Sequence, residues 1–127
     1  MMLNQMLKSI GVSRRETFIT NVVKFRPPGN RTPTPGEIIH AIDTLRAEWS
    51  IIQPVLTIAV GAPAQLALNQ RGMPHGMVRP FGRRDGHWVA SVYHPAFGLR
   101  KKQARVWIEN EWELLGKEIG EIGLEIQ

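Results

Sequence analysis

The sequence predicts an α/β fold: three layers, α/β/α, around a short parallel sheet. Two observations carry that expectation. Short apolar runs of strand length alternate with stretches of helical apolar spacing. Each run also stops at a breaker: residues 18–24 before Arg26-Pro27-Pro28, residues 55–60 at Gly61, and residues 88–93 at His94-Pro95. With 127 residues, 43% of them hydrophobic, the chain has enough material for one packed domain over residues 1–127.

The elements follow in order. Residues 2–10 set Leu3, Met6, Leu7 and Ile10 at helical spacing, and Gly11 is the stop. Residues 18–24 read as a buried strand, followed over 26–35 by a loop with four prolines and one glycine. Thr34-Pro35-Gly36-Glu37 predicts a helix start, with Thr34 as N-cap, Pro35 first in the helix and Glu37 reaching back. Ile38, Ile39, Ile42, Leu45, Trp49 and Ile52 give that helix an apolar face, and Pro54 ends it.

Residues 55–60 are a second strand, and Gly61-Ala62-Pro63-Ala64 turns into a short helix through Leu68. Residues 69–87 read as irregular, glycine-rich and basic, with Arg71, Arg79, Arg83 and Arg84. Residues 88–93 are a third strand. Residues 102–119 are a last helix with Ile108, Trp112, Leu115 and Ile119 on one face, and the tail over 120–127 is expected to fray. Parallel sheets place their working groups beyond the carboxyl ends of the strands. Here those ends are residues 21–26, Gly61 and His94, expected to face one crevice.

Charge is distributed unevenly. Residues 1–105 hold 15 basic and 5 acidic side chains, whereas residues 106–127 hold 1 and 6. Eleven of the 16 basic residues are arginine, whose planar fork suits phosphate. A basic body with an acidic helical tail fits a nucleic-acid binder, and charge alone fits an ordinary basic surface equally well. The chain has no cysteine, hence no disulfide and no Cys-ligated metal. No apolar run approaches the roughly 20 residues that span a bilayer, and the N-terminus does not read as a secretory signal. A cytoplasmic protein without membrane contact is the expectation.

Two blocks carry candidate chemistry. The first is Thr20-Asn21-Val22-Val23-Lys24-Phe25-Arg26-Pro27-Pro28-Gly29-Asn30-Arg31-Thr32-Pro33. Asn21 interrupts an apolar run, and a buried amide without partners costs roughly 1–3 kcal/mol, so its presence needs a reason. By itself it reads as the cap of a strand-end turn. The second block is Tyr93-His94-Pro95-Ala96-Phe97-Gly98-Leu99-Arg100. Pro95 fixes the turn after His94, although a lone histidine is more often structural. Arg26, Arg31 and Arg100 flank the blocks, and each alone reads equally as a solvated basic side chain. Gly61 opens a turn that sets a helix N-terminus at the same edge, a weak anion-site signal. Leu99 reads equally as a wedge or as core. His40 reads as structural, and His75 and His87 have no partner that the sequence identifies.

The two blocks resemble the TNVVKxRPPGNRxP and HPAxxLR signatures of the uracil-DNA glycosylase superfamily, in its iron–sulfur (family 4) branch. That resemblance implies base-excision DNA repair, by hydrolysis of the N-glycosidic bond of deoxyuridine in DNA. It implies that His94 hydrogen-bonds the uracil carbonyl that gains charge as the bond breaks. It makes Asn21 the uracil reader, since an amide offers a donor and an acceptor side by side. Arg26, Arg31 and Arg100 become phosphate contacts holding a strand while a nucleotide is flipped, with Gly61 at the same edge and Leu99 as the wedge.

The chain also departs from that family. The family's opening strand, its Gly-Glu-x-Pro-Gly loop with the acidic water-positioning residue, and the phenylalanine that stacks on uracil have no counterpart here. An N-terminally truncated relative with impaired activity is therefore expected, whether from a late gene start, a split protein or a reduced gene. Of the family's four cluster cysteines, one falls at Phe25 and one near Ala41, and two lie in the missing part. No iron–sulfur cluster is expected. The missing strand would sit between residues 18–24 and 55–60. Their edges must then pair together, stay open, or be completed by a second chain or a second copy. The rival class is a non-catalytic DNA-binding or replication-associated module. A generic α/β domain with decayed motifs ranks below both.

Overall fold

The computed structural model describes residues 2–24, 29, 31–81, 86–95 and 101–123. Helix α1 spans Met2–Ser9, α2 Pro35–Ile52, α3 Ala62–Ala67 and α4 Lys102–Ile122; strand β1 spans Leu56–Val60, β2 Arg79–Pro80 and β3 Trp88–Val92. The sheet order is β1-β3-β2. Strands β1 and β3 run parallel with Leu56 opposite Trp88 and Val60 opposite Val92. The two residues of β2 add antiparallel to β3, so the sheet is mixed where a purely parallel one was expected. Pro80 is compatible with this, because β2 is an edge strand and needs no further donor.

Alternation along β1 and β3 sorts the core into two faces. Ala90 and Val92 of β3 join Leu7, Ile108, Trp112, Leu115 and Ile119 in one cluster, with Leu56, Ile58 and Val60 packed against it. On the other face, α2 packs on α3 and α3 on β1. Trp49 of α2 donates its indole N–H to Thr57 Oγ1 at 3.2 Å, tying that helix to the sheet. The expected three layers are thus present.

Local signals at the helix ends act as read. Thr34 Oγ1 accepts the Glu37 N–H at 3.2 Å, while Glu37 Oε1 accepts the Thr34 N–H at 2.9 Å. Gln53 closes α2 in a left-handed conformation, φ +50°, just before Pro54. At the other end of the chain, α4 runs beyond Gly120 to Ile122 and is capped by Gly123, φ +75°. Residues 124–127 lie outside the described residues.

The buried strand expected at 18–24 is not formed. Those residues carry no strand pairing; Phe18 is 54% and Ile19 44% exposed, and Val23 is the one buried residue among them. Among the described strands β1 lies at an edge of the sheet, and residues 18–24 do not pair with it. The segment is instead tied to α2 through side chains. Thr20 Oγ1 donates to Glu48 Oε2 at 3.0 Å, and Lys24 Nζ lies 2.5 Å from Glu48 Oε1. The apolar face of α2 is likewise only partly covered: Ile38 is buried, whereas Ile39 is 67% and Ile52 45% exposed.

Candidate functional site

Strand β3 ends in a cluster of polar contacts, and these determine where His94 stands. Gly61, the N-cap of α3, has φ +86° and ψ 169°, a region only glycine occupies comfortably. Space is also tight there: a Cβ would lie 3.3 Å from His94 Cβ and 3.8 Å from His94 Cδ2. The His94 imidazole therefore rests against the Gly61 backbone. Gly61 N–H donates to Val92 O at 3.0 Å, which locks the α3 turn to the strand end two residues before His94.

A buried side-chain network lies behind this turn. Gln65 of α3 donates from Nε2 to Val92 O at 3.1 Å and lies 3.3 Å from His75 Nε2. Because both of those Gln65 contacts need its NH2 group, His75 Nε2 is the acceptor and Nδ1 carries the hydrogen. His75 Nδ1 then donates to Glu111 Oε2 at 3.0 Å. The other oxygen, Glu111 Oε1, accepts the Tyr93 N–H at 2.6 Å. This bond explains why β3 stops at Val92 and not at Tyr93: the next backbone donor goes to a carboxylate and leaves the ladder. The Tyr93 ring meets the His75 ring edge-on, with centroids 4.4 Å apart.

Glu111 is only 6% exposed although it is a carboxylate on the buried face of α4. Burial raises its pKa above the ordinary carboxyl value, opposed by the Tyr93 N–H and by His75. Gly76 brings the His75 turn onto α4. A Cβ at Gly76 would lie 2.6 Å from Glu111 O, so only glycine allows that approach.

The sequence-predicted residues divide as follows. Gly61 and His94 are brought into contact. Thr32 and Pro33, at the end of the first motif, line a cavity of about 170 Å³ together with Ala62, Pro63 and Arg71. The first motif thus meets the turn that begins at Gly61. Asn21 is exposed, and its carbonyl accepts a hydrogen bond from Lys24 Nζ. Arg31 is held in a two-pronged pair with Glu37, Nη1 to Oε1 at 2.5 Å and Nη2 to Oε2 at 2.9 Å. That guanidinium pulls the Glu37 carboxyl down to about 2. Arg26, Leu99 and Arg100 lie outside the described residues, as does Phe25.

Sequence reasoning missed Gln65, His75 and Glu111. One signal was available: Glu111 falls on the stripe that also buries Ala104, Ile108, Trp112 and Leu115. A charge at a core position demands a partner.

A thiolate-ligated cluster does not fit this donor set, because the chain contains no cysteine. Among the described residues, no group of three or more His, Asp or Glu side chains is placed to hold a metal ion. No described helix is long and apolar enough to cross a membrane.

Comparison with known proteins places these features in context. The sequence model of a family described as the uracil DNA glycosylase superfamily matches residues 1–116. A type-4 uracil-DNA glycosylase of Archaeoglobus fulgidus is 34% identical over 128 residues, covering 94% of this chain and 64% of that protein. One from Thermotoga maritima is 36% identical over 105 residues, covering 80% and 55%. A shorter match, 38% identical over 56 residues, links 43% of this chain to 6% of a DNA polymerase of Bacillus phage SP01. The chain spans between about half and two thirds of the length of the glycosylases it matches.

Proposed function

The chain belongs to the uracil DNA glycosylase superfamily, and we propose that it binds uracil-containing DNA at the His94 end of its sheet. The observation that supports this most directly is the packing of His94 on Gly61, which sets an imidazole at the carboxyl end of β3. There it is suited to donate a hydrogen bond to a uracil carbonyl that gains negative charge as the N-glycosidic bond is hydrolysed. One such donor is typically worth about 100- to 1000-fold in rate. Asn21 selects uracil by pairing its amide with the base edge. Arg26, Arg31 and Arg100 hold phosphates, with Gly61 at the same edge and Leu99 filling the gap left by the flipped base. Arg31 reaches a phosphate by giving up Glu37.

Hydrolysis by this chain alone is slow in this reading. A positioned acid–base group is typically worth about 100- to 10,000-fold, and none is assigned here. Glu111 does not serve. It is 6% exposed, and its two oxygens are occupied by Tyr93 N–H and His75 Nδ1. No iron–sulfur cluster takes part, and the reading places the protein in the cytoplasm, in base-excision repair.

Among the described residues no strand pairs with the outer edge of β1, and Phe18 and Ile19 are exposed, which supports completion of the sheet by a second chain or a second copy. A second reading, a non-catalytic DNA-binding or replication-associated module, is favoured by the match to a phage DNA polymerase.

Binding separates these. Affinity is measured for single strands that differ only by uracil or thymine at one position. Glycosylase-type recognition gives tighter binding to the uracil strand and loss of the difference in Asn21→Ala. Equal, salt-sensitive binding to both strands, unchanged in His94→Ala, supports the module.

A further inference from the structure

We infer that Glu111 and His75 are positioning residues for His94, acting through the Tyr93 peptide. The inference rests on the reading of His94 as the uracil-carbonyl donor.

Strand β3 ends at Val92, two residues before His94, so the backbone groups of residues 91–93 that the ladder does not pair need partners from elsewhere. The partners come from three places: the His75–Gly76 turn, the start of α3, and α4. Gly76 N–H donates to Ser91 O at 2.9 Å. Gly61 N–H and Gln65 Nε2 both donate to Val92 O, at 3.0 and 3.1 Å. Glu111 Oε1 accepts Tyr93 N–H at 2.6 Å, the shortest of the four and the one adjacent to His94. These contacts fix the peptide that leads into the histidine.

The Tyr93 contact depends on a carboxylate that has little reason to be where it is. Glu111 occupies an apolar stripe of α4, and a hydrophobic residue would serve packing there. It is held in register by His75, and His75 by Gln65 from the far side of the turn. A buried polar chain of this kind is costly when any member is missing and rigid when complete. It ends at two places beside His94: at Tyr93, its neighbour, and in α3, whose N-cap Gly61 packs against the histidine. A catalytic donor misplaced by about 1 Å can lose on the order of 100-fold in rate.

The test follows the four histidine side chains by NMR in the free protein, with isotope-labelled histidine, in Glu111→Leu, Glu111→Gln and His75→Phe. Uracil release from a single-stranded oligonucleotide is measured alongside. Glu111→Leu removes the acceptor for Tyr93 N–H, and is expected to shift the His94 resonances and cut release by about 100-fold. Glu111→Gln keeps an oxygen for Tyr93 N–H but sets an NH2 group against His75 Nδ1–H, and is expected to shift the His94 resonances less than Glu111→Leu does and to retain more of the release. A merely structural role would lower stability without moving His94. The inference is overturned if the His94 resonances of folded Glu111→Leu coincide with wild type while those of His75 move. If Glu111→Leu does not fold, His75→Phe, which keeps the ring against Tyr93, decides by the same His94 signals. A wild type that releases no uracil would count against the proposed function alone, since the His94 resonances still decide whether Glu111 and His75 position it.

Discussion

His94 stands over Gly61 so closely that a methyl group at 61 would meet its Cβ at 3.3 Å. The strand end that carries the imidazole and the helix cap beside it are thus closely packed.

Gly61→Ala tests this packing. The backbone at 61 lies in a region that costs of order 1–3 kcal/mol for any residue but glycine. The added Cβ must also displace His94. The expected result is a loss of about 1–3 kcal/mol in urea unfolding, and a fall in uracil release larger than that of a surface control. Wild-type stability and release in Gly61→Ala would show that the contact has no consequence.

A matched pair isolates the approach of the His75 turn to α4. Gly72 and Gly76 have similar positive φ, +81° and +79°, but a Cβ at 72 meets nothing within 4 Å, whereas one at 76 meets Glu111 O at 2.6 Å. Gly72→Ala is expected to cost about 1 kcal/mol from backbone strain alone. Gly76→Ala is expected to cost several times as much, measured by chemical denaturation. Equal costs would contradict the described packing.

The Arg31–Glu37 pair predicts a pH effect. Glu37 is lowered from 4.5 to about 2, chiefly by its hydrogen bond with Arg31. A depressed carboxyl stabilises the fold above its unfolded pKa, and that contribution is lost as pH falls through about 2. The pair is solvent-exposed, so the effect is small and screened by salt. The stability difference between wild type and Glu37→Gln should therefore shrink between pH 4.5 and about 2. The same variant frees Arg31, and DNA binding at low salt should tighten by about 2- to 5-fold. Arg31→Ala should lower the slope of log affinity against log salt by about 0.7 on a single strand.

The capping box at α2 predicts a smaller, cleaner effect. Thr34 and Glu37 exchange hydrogen bonds at the helix start. Thr34→Ala should cost about 1 kcal/mol, and Thr34→Ser should recover most of it, as read from the unfolding midpoint.

What the sequence revealed and what it concealed follow the range of the interactions. Thr34, Pro35 and Glu37 act within one helical turn, so the start of α2 was legible, as were the breaks at Pro54, Gly61 and His94-Pro95. Residues 18–24 have strand composition, but a strand also needs ladder pairing, and this segment is held by side-chain contacts to Glu48 of α2 instead. Composition cannot show which of the two a segment takes. The two-residue β2 is too short to leave a pattern. The network behind His94 joins Gln65, His75, Tyr93 and Glu111, with His75 and Glu111 separated by 36 positions. No local spacing encodes such a contact. Only the misplaced charge at Glu111 hinted at it.

The most direct test of the central claim is uracil release from a single-stranded, uracil-containing oligonucleotide under single-turnover conditions, with His94→Ala alongside. The account predicts slow release that falls by about 100- to 1000-fold when His94 is removed. No release from folded, monodisperse wild-type protein, or release undiminished in His94→Ala, would contradict it.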